Sequence, residues 1–550
     1  MDFINKNIIF KTHTTKNYAA LKSDIMKISA RLRAFESVEI FLSSSYDFTV
    51  SLLGALHSNT KAFILSKESA SQGCKCAIND SNFAEFLGDS SEDFADDSAK
   101  KCDFNADSSV DFKSDSVKSD SASADSIDFS ACLDTPFFIQ TSGTSKEHSD
   151  IIPKTLRKMI LESQTLAKTL SLKSDDIFIA SPSHQHLFAL TFKIFLPLFN
   201  GGIIVDSALK FPELVIEFCK NHKDKNVIFI SSPTLLKYLC EYDLSNLLCL
   251  KYIISAGAKL DSAIFAKIKE RLKIDIFEVY GSTECGVIAF KSGESFTPFS
   301  GVSLRLSEDS TLIINSNWAI SKDFISKDLA EIKDGRFYLK GRIDRIIKIH
   351  DKRISLDYVE SQIKQLDIIK DCCVGVVDSR IHCIIVLNPH GRELFLSSGK
   401  KGIIKAMKIL KMQEIRSFYI RENLPFNNQG KISRKDFLAC INAKILPELR
   451  VVNSDENALN AVGYIDCGSF IFDGHFADFP LMAGFIELDF VIRLAKKHFN
   501  LGETFEIESV KFTSFLRPFD EVKINVHRKN LKLYFSILAN DKECANGRIR

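Results

Sequence analysis

The sequence has almost no net charge: 72 Lys+Arg stand against 70 Asp+Glu, a formal +2. That balance gives no broad basic surface of the kind that nucleic-acid or membrane adsorption requires. Paired CxxC motifs are missing as well. The 14 cysteines are scattered, with one CxC at Cys74 and Cys76 and an adjacent pair at Cys372 and Cys373. No zinc site or disulfide framework follows from that spacing; it is the pattern of reduced, buried thiols in a cytoplasmic protein. The first ten residues lack a basic start and an unbroken apolar core, since Asp2, Asn5, Lys6 and Asn7 interrupt them. They do not read as a signal peptide. A long uninterrupted apolar run is also absent. The nearest one, His186 to Val205, is broken by Lys193, Pro197, Asn200 and the Gly201–Gly202 pair. It predicts a buried helix, a turn and a strand rather than a membrane span.

What is present is globular in composition: 550 residues, 45% hydrophobic and 26% charged. At about 100–200 residues per domain this is three or four folding units. Short apolar runs such as SVEIFLSS (Ser37 to Ser44), KAFILS (Lys61 to Ser66), NVIFISS (Asn226 to Ser232) and KYIISAG (Lys251 to Gly257) alternate with amphipathic helical patterns. Strands spaced by helices imply a parallel, doubly wound α/β sheet. Residues from about 68 to 131 are instead dominated by Ser, Asp, Lys and Ala. Such a segment cannot bury enough apolar surface to offset its ordering entropy, and a disordered surface insertion is expected. From Ala330 to Ile354 the pattern becomes alternating and charged, as in hairpins. After Pro447 it changes again, to a long amphipathic helix at about Met482 to Phe499 followed by four alternating runs, EIESVKFTS, EVKINVHR, LKLYFSIL and CANGRIR. One helix against antiparallel strands is an α+β pattern.

Four motifs carry chemistry in the first part. TSGTS (Thr141 to Ser145) follows the apolar run PFFIQ, and small hydroxyl residues around a glycine can wrap a phosphate chain. EVYGSTECG (Glu278 to Gly286) places Glu284 after a tight turn, where a lone carboxylate beside phosphates can hold Mg²⁺. LKGRIDRIIKIHDKRISL (Leu339 to Leu356) and LPFNNQGKISRKDF (Leu424 to Phe437) follow, the second with a lysine on a glycine-led turn. In this order they resemble the adenylate-forming superfamily: acyl-CoA synthetases, aryl ligases and nonribosomal adenylation domains. The resemblance covers roughly residues 1–447 apart from the insertion. IIPKTLRKMILES (Ile151 to Ser163) and SHQHLFALTFKIFLPLFNGG (Ser183 to Gly202) resemble the members that load aryl or fatty acids onto acyl carrier proteins.

The resemblance implies a large α/β adenylation domain at 1–343 and a small, mobile α+β subdomain at 344–447. Thr141, Ser142, Gly143 and Thr144 would hold the ATP phosphates. Ala256 and Gly257 would form the adenine wall. Tyr280, Gly281, Ser282 and Thr283 would meet adenine and α-phosphate, with Glu284 on Mg²⁺. Asp328 and Arg342 would contact the ribose, Asp344 would be the hinge, and Lys431 the catalytic lysine. His186 reads equally as an acyl-pocket residue or as a core histidine at a helix start. Two departures stand out. The loop lacks the family's second glycine and Pro-Lys pair, leaving Lys146 or Lys154 as the replacement lysine, and Asp351 replaces a glycine beside the thiol tunnel. The thiol acceptor implied is the phosphopantetheine arm of an acyl carrier protein, or CoA.

The end of the chain contains FDGHFADFPLMAGFIELDF (Phe472 to Phe490), with an acid, Asp489, fourteen residues after His475. A histidine and an acid can remove an α-proton and expel a β-hydroxyl as water. Gly474, His475, Phe476, Pro480, Met482 and Gly484 match the hot-dog-fold β-hydroxyacyl-carrier-protein dehydratases, while Ala477 and Ala483 replace two prolines. That resemblance implies an α+β hot-dog domain at 448–550, a thioester carbonyl polarised by the Gly484 amide, and a homodimer whose sites pair histidine and acid across subunits. A thioesterase or an inactive acyl-binding module shares this fold. Glu487, two residues before Asp489 and on another side of the helix, could tune the site, but reads more simply as an ordinary helix glutamate.

Overall fold

A computed structural model of the chain describes all residues except 1–3, 13, 66–73, 75, 88–126, 142–149, 350–351, 379, 411–414, 427–431, 473–475, 477, 500–504 and 531. The described residues fall into two compact units, one up to Lys340 and one from Gly341 onward.

In the first unit the alternation of strands and helices builds two sheets. Five strands run in the order Ala77–Asn79, Ser37–Phe41, Lys61–Ile64, Pro136–Gln140, Ile151–Thr155, the first four parallel and the last antiparallel. The larger sheet has 13 strands. Its parallel part orders Asp275–Ser282, Leu250–Ser255, Val227–Ser231, Ile177–Ala180, Gly202–Val205 and Ile8–Lys11. Ile177–Ala180 and Val227–Ser231 are buried at every position, as strands covered on both faces must be. All four apolar runs singled out in the sequence form strands. At Asp275–Ser282 the chain doubles back into Gly286–Ser292, and the sheet continues antiparallel out to Ser303–Leu306. That reversal carries the EVYGSTECG motif.

The structure corrects the extent of the insertion. Cys76, Ile78, Phe83, Ile127 and Phe129 lie in the core beneath the helices Tyr18–Leu32 and Ser45–His57. Ala77–Asn79 is an edge strand paired with Ser37–Phe41. A few apolar residues at each flank suffice to dock it, although the average composition hides them. The central part, 88–126, lies outside the described residues. The apolar run after His186 forms helical turns at Leu187–Ala189, Leu190–Phe195 and Leu196–Asn200, then the strand Gly202–Val205. Among the described residues no helix is long and apolar enough to cross a membrane.

The second unit begins with the hairpin Ile346–Ile349 and Lys352–Ser355 and a three-stranded sheet, Ile369–Val377, Arg380–Leu387 and Ile415–Ile420. The helices Leu356–Lys364, Pro389–Met407 and Arg434–Asn442 pack with it. Next comes a six-stranded antiparallel sheet wrapped on the helix Gly484–Phe499, the hot-dog arrangement expected. Phe490, Val491, Ala495 and Phe499 of the helix meet Leu459, Ala461, Ile524, Phe535 and Ile537 of the sheet. Two of its strands, Arg450–Ser454 and Ala458–Tyr464, precede the helix and were not read from the sequence. Both are short of the β-branched alternation that marks the other four. The two parts of this unit share contacts: Cys467 packs in the small subdomain's core, and the Arg421 guanidinium donates to the carbonyls of Cys440 and Gly468.

Candidate functional sites

The EVYGSTECG segment forms a tight reversal between two strands. A Cβ on Gly281 would lie 2.2 Å from the Gly286 carbonyl oxygen, so only glycine lets the strands close there. Ser282, Thr283 and Glu284 occupy the turn and are half-buried. Tyr280 donates its hydroxyl to Asp328 Oδ2 at 2.6 Å, joining positions 48 residues apart. Burial, and then the Asp328 charge, raise the Tyr280 pKa, so the hydroxyl remains a donor. Asp328 is in turn held by Ser326, whose hydroxyl accepts the Asp328 amide at 3.1 Å.

Ala256 and Gly257 follow the strand Leu250–Ser255, which runs parallel to Asp275–Ser282 with Ser255 opposite Glu278. Gly257 has a φ of 98°, and a Cβ there would meet nothing within 4 Å, so the backbone faces open space. Glu278 organises this corner: its Oε2 accepts the Leu260 amide at 3.0 Å and its Oε1 pairs with Lys291 at 2.8 Å. The sequence reading missed Glu278. A carboxylate inside the apolar strand sequence DIFEVY was the available signal.

The residues present fit a nucleotide and a divalent cation. Glu284 and the hydroxyls of Ser282 and Thr283 are hard oxygen donors gathered on one turn, the chemistry Mg²⁺ prefers. The open backbone at Gly257 leaves room for a flat ring. Thr141 ends the strand Pro136–Gln140, with its amide and hydroxyl both on the Asp150 carbonyl, at 2.8 and 3.1 Å. Ser142, Gly143, Thr144 and Lys146 lie outside the described residues, as does Asp351. Lys154 does not replace the loop lysine at the surface. It is 1% exposed, and its ammonium is committed to the carbonyls of Glu284 and Trp318, at 3.5 and 3.4 Å. His186 caps a helical turn and is half-buried. Arg342 belongs to the second unit, where its guanidinium makes a two-pronged pair with Asp344 at 2.9 Å for each bond. Lys431 lies outside the described residues.

In the C-terminal domain Gly484 opens the 16-residue helix Gly484–Phe499, where amide groups have no intrahelical acceptor. Gly474, His475 and Ala477 lie outside the described residues. Phe476, next to the histidine, adopts φ 47°, a strained region for a non-glycine residue and one that recurs at functional sites. Asp489 is on the helix surface and pairs with Arg493 at 2.7 Å. Phe476, Phe479, Phe485, Phe512 and Phe515 are exposed on the same domain. Phe479 and Phe515 pack edge to face, with ring centroids 6.5 Å apart.

Glu487 is not an ordinary helix glutamate. It is 2% exposed, its Oε2 has no hydrogen-bond partner among the described residues, and burial pushes its pKa up to about 7. The folded protein therefore binds a proton there that the unfolded chain releases near the ordinary value of 4.5. This contribution to stability is complete below that value and is lost as pH rises through about 7. Thermal unfolding measured from pH 5 to 8 should show the loss in the wild type. Glu487→Gln, which cannot ionise, should flatten it.

A compact α/β unit with this reversal, followed by a hot-dog domain, defines the class of fold. The chain belongs to the AMP-binding enzyme family, whose model matches residues 3–305. Residues 451–548 match the ApeI-like family, described as ApeI dehydratase. VraA of Staphylococcus haemolyticus, a protein named for long chain fatty acid-CoA ligation, is 28% identical over 240 residues, 39% of this chain and 51% of that protein. The D-alanine–D-alanyl carrier protein ligase of Staphylococcus aureus is 31% identical over 120 residues, 21% of this chain and 25% of that protein. The matches thus span about half, or a quarter, of these relatives. The ATP-bound RpMatB-BxBclM chimera B3 shares the fold, with a TM-score of 0.63 at 15% identity over 79% of this chain and 95% of that one. So does O-succinylbenzoate coenzyme A synthetase of Bacillus subtilis in complex with AMP, at 0.59 and 15%, over 79% and 95%.

Proposed function

We propose that this chain activates a carboxylic acid with ATP and transfers the acyl group to the phosphopantetheine thiol of an acyl carrier protein. Its hot-dog domain then dehydrates 3-hydroxyacyl thioesters. The observation that carries the first half is the Tyr280–Asp328 hydrogen bond, which fastens the strand Phe324–Lys333 to the strand leading into the Glu284 turn of an AMP-binding fold. The acid's carboxylate oxygen bonds to the α-phosphorus, the bond to the β-phosphate bridging oxygen breaks, and pyrophosphate leaves. The thiol then attacks the acyl carbonyl and AMP leaves. Glu284 would hold Mg²⁺, which would supply positive charge against the phosphates. Thr141 to Thr144 cradle the phosphates, Ala256 and Gly257 flank the adenine, and Asp328 holds the ribose. Lys431 places a cation at the bridging oxygen where charge develops. The small subdomain pivots at Asp344 between the two half-reactions.

In the hot-dog domain His475 takes the α-proton, Asp489 delivers the proton to the departing hydroxyl, and the Gly484 amide receives the carbonyl oxygen. The exposed phenylalanines and the outward Asp489 support a homodimer in which the partner completes each site. An aryl or fatty acid, extended through repeated dehydrations as in aryl-polyene-like or fatty acid biosynthesis, suits the pairing of the two activities.

The test is the intact mass of a holo-carrier protein after incubation with the enzyme, ATP, Mg²⁺ and a panel of aryl and fatty acids. A gain of one acyl group supports carrier loading. Acyl-CoA formation without carrier loading supports the second reading, an acyl-CoA ligase fused to a thioesterase, and the VraA similarity favours CoA as its acceptor. Absence of both, with no pyrophosphate release, leaves a non-catalytic acyl-binding scaffold.

A further inference from the structure

The turn that carries Glu284 is held from its buried side by two charged residues. Lys154, on the strand Ile151–Thr155, donates to the Glu284 carbonyl at 3.5 Å and to the Trp318 carbonyl at 3.4 Å. Glu162, on the following helix Leu156–Thr169, accepts the Val287 amide on Oε1 at 2.7 Å. Each is only 1% exposed. The Glu284 carbonyl also accepts the Ile320 amide at 2.9 Å, and Trp318 Nε1 donates to the Val287 carbonyl at 3.1 Å. Burying an ammonium and a carboxylate is costly, and a core of this size could fill the space with apolar side chains. Here the ammonium is spent on the carbonyls of Glu284 and Trp318 and the carboxylate on the amide of Val287, so both act on backbone beside or at Glu284.

We propose that Lys154 and Glu162 are positioning residues that set the Glu284 carboxylate for Mg²⁺-bound ATP. This rests on the reading of the turn as a nucleotide site. Lys154 pins the carbonyl of Glu284 itself, and Glu162 pins the amide three residues on. Together they define the backbone from which the carboxylate projects. Both bonds of the ammonium end on backbone carbonyls, so the effect passes through geometry. Neither residue touches substrate.

The test uses the full chain and the variants Lys154→Met, Glu162→Leu and Glu162→Gln. Calorimetry measures ATP binding across a Mg²⁺ titration, and acid-dependent pyrophosphate exchange separates KM for ATP from kcat. Trp318 is the only tryptophan, so its emission reports the packing of this turn. Losing a buried hydrogen bond made to a charged group should raise the Mg²⁺ half-saturation about tenfold in Lys154→Met and Glu162→Leu. KM for ATP should rise with it, and Trp318 emission should shift. Glu162→Gln keeps the acceptor and should stay within about twofold of wild type, since the geometry rather than the charge is preserved. Wild-type Mg²⁺ dependence in the two disruptive variants overturns the proposal, and so does a tenfold defect in Glu162→Gln. A tenfold defect in a folded Glu162→Gln overturns the proposal even if the other two variants fold poorly. A wild-type chain that binds no ATP with Mg²⁺ overturns the nucleotide-site reading and this inference together. Normal wild-type binding with unaffected variants overturns this inference alone.

Discussion

Lys431→Ala is expected to lower acid-dependent ATP–pyrophosphate exchange by about two to three orders of magnitude while leaving the melting temperature unchanged. Two anions meet when a carboxylate attacks the α-phosphate, and a third is released. A cation at the bridging oxygen is therefore worth more in the transition state than in the ground state, which is the condition for an effect on kcat. Lysine supplies a compact charge on a flexible stem, and the glycine-led segment before it can carry that charge in and out. Just downstream the chain is anchored. Ser433 caps the helix Arg434–Asn442, accepting the Asp436 amide at 3.1 Å. Truncating a lysine two residues before the cap of this helix removes a charge while leaving the cap's hydrogen bond in place. Lys431→Arg should recover part of the rate. Undiminished exchange in the alanine variant would exclude Lys431 from the adenylation step.

His475→Ala and Asp489→Asn are each expected to reduce hydration of an enoyl thioester, the reverse of dehydration, by about 10²–10⁴-fold. Loss of enoyl absorbance follows the reaction. Because the two residues act on one proton-transfer sequence, the double variant should be little worse than either single one. Mixing the two single variants provides a second readout. In a homodimer with histidine and acid on opposite subunits, a mixed dimer contains one intact site, and activity should reappear on mixing. Its failure to reappear, with each variant folded and dimeric, would place both residues within one subunit. Full activity in Asp489→Asn would direct attention to Glu487, the buried acid half a turn earlier.

Much of the architecture was legible because it depends on local pattern. Val227–Ser231 and Leu250–Ser255 are continuous apolar runs bounded by polar residues, and both became covered parallel strands. The helix at the hot-dog core showed its 3.6-residue period and ran from Gly484 to Phe499. Legibility failed where a few side chains outweighed composition. Cys76, Ile78 and Phe83 anchor the flank of a segment whose average is Ser and Asp. It failed again where polar residues sit on a buried face: Glu162 lies among Met159, Ile160 and Leu166, and its charge there was the only clue.

By itself the sequence determined which chemical groups the chain possesses and their order: the TSGTS loop, the Tyr280 to Glu284 turn, Lys431, and the pair His475 and Asp489. It also determined where strands alternate with helices, since burial period is written in neighbouring residues. Only the tertiary structure decided which of these groups meet. The Tyr280–Asp328 bond spans 48 residues, and the contacts of Lys154 with Glu284 and Trp318 span 130 and 164. It also decided that Lys154 faces the underside of the turn and that Glu487 is enclosed while Asp489 is not. Such choices are made by long-range packing, in which a buried charge must find whatever partner the fold brings within about 3 Å.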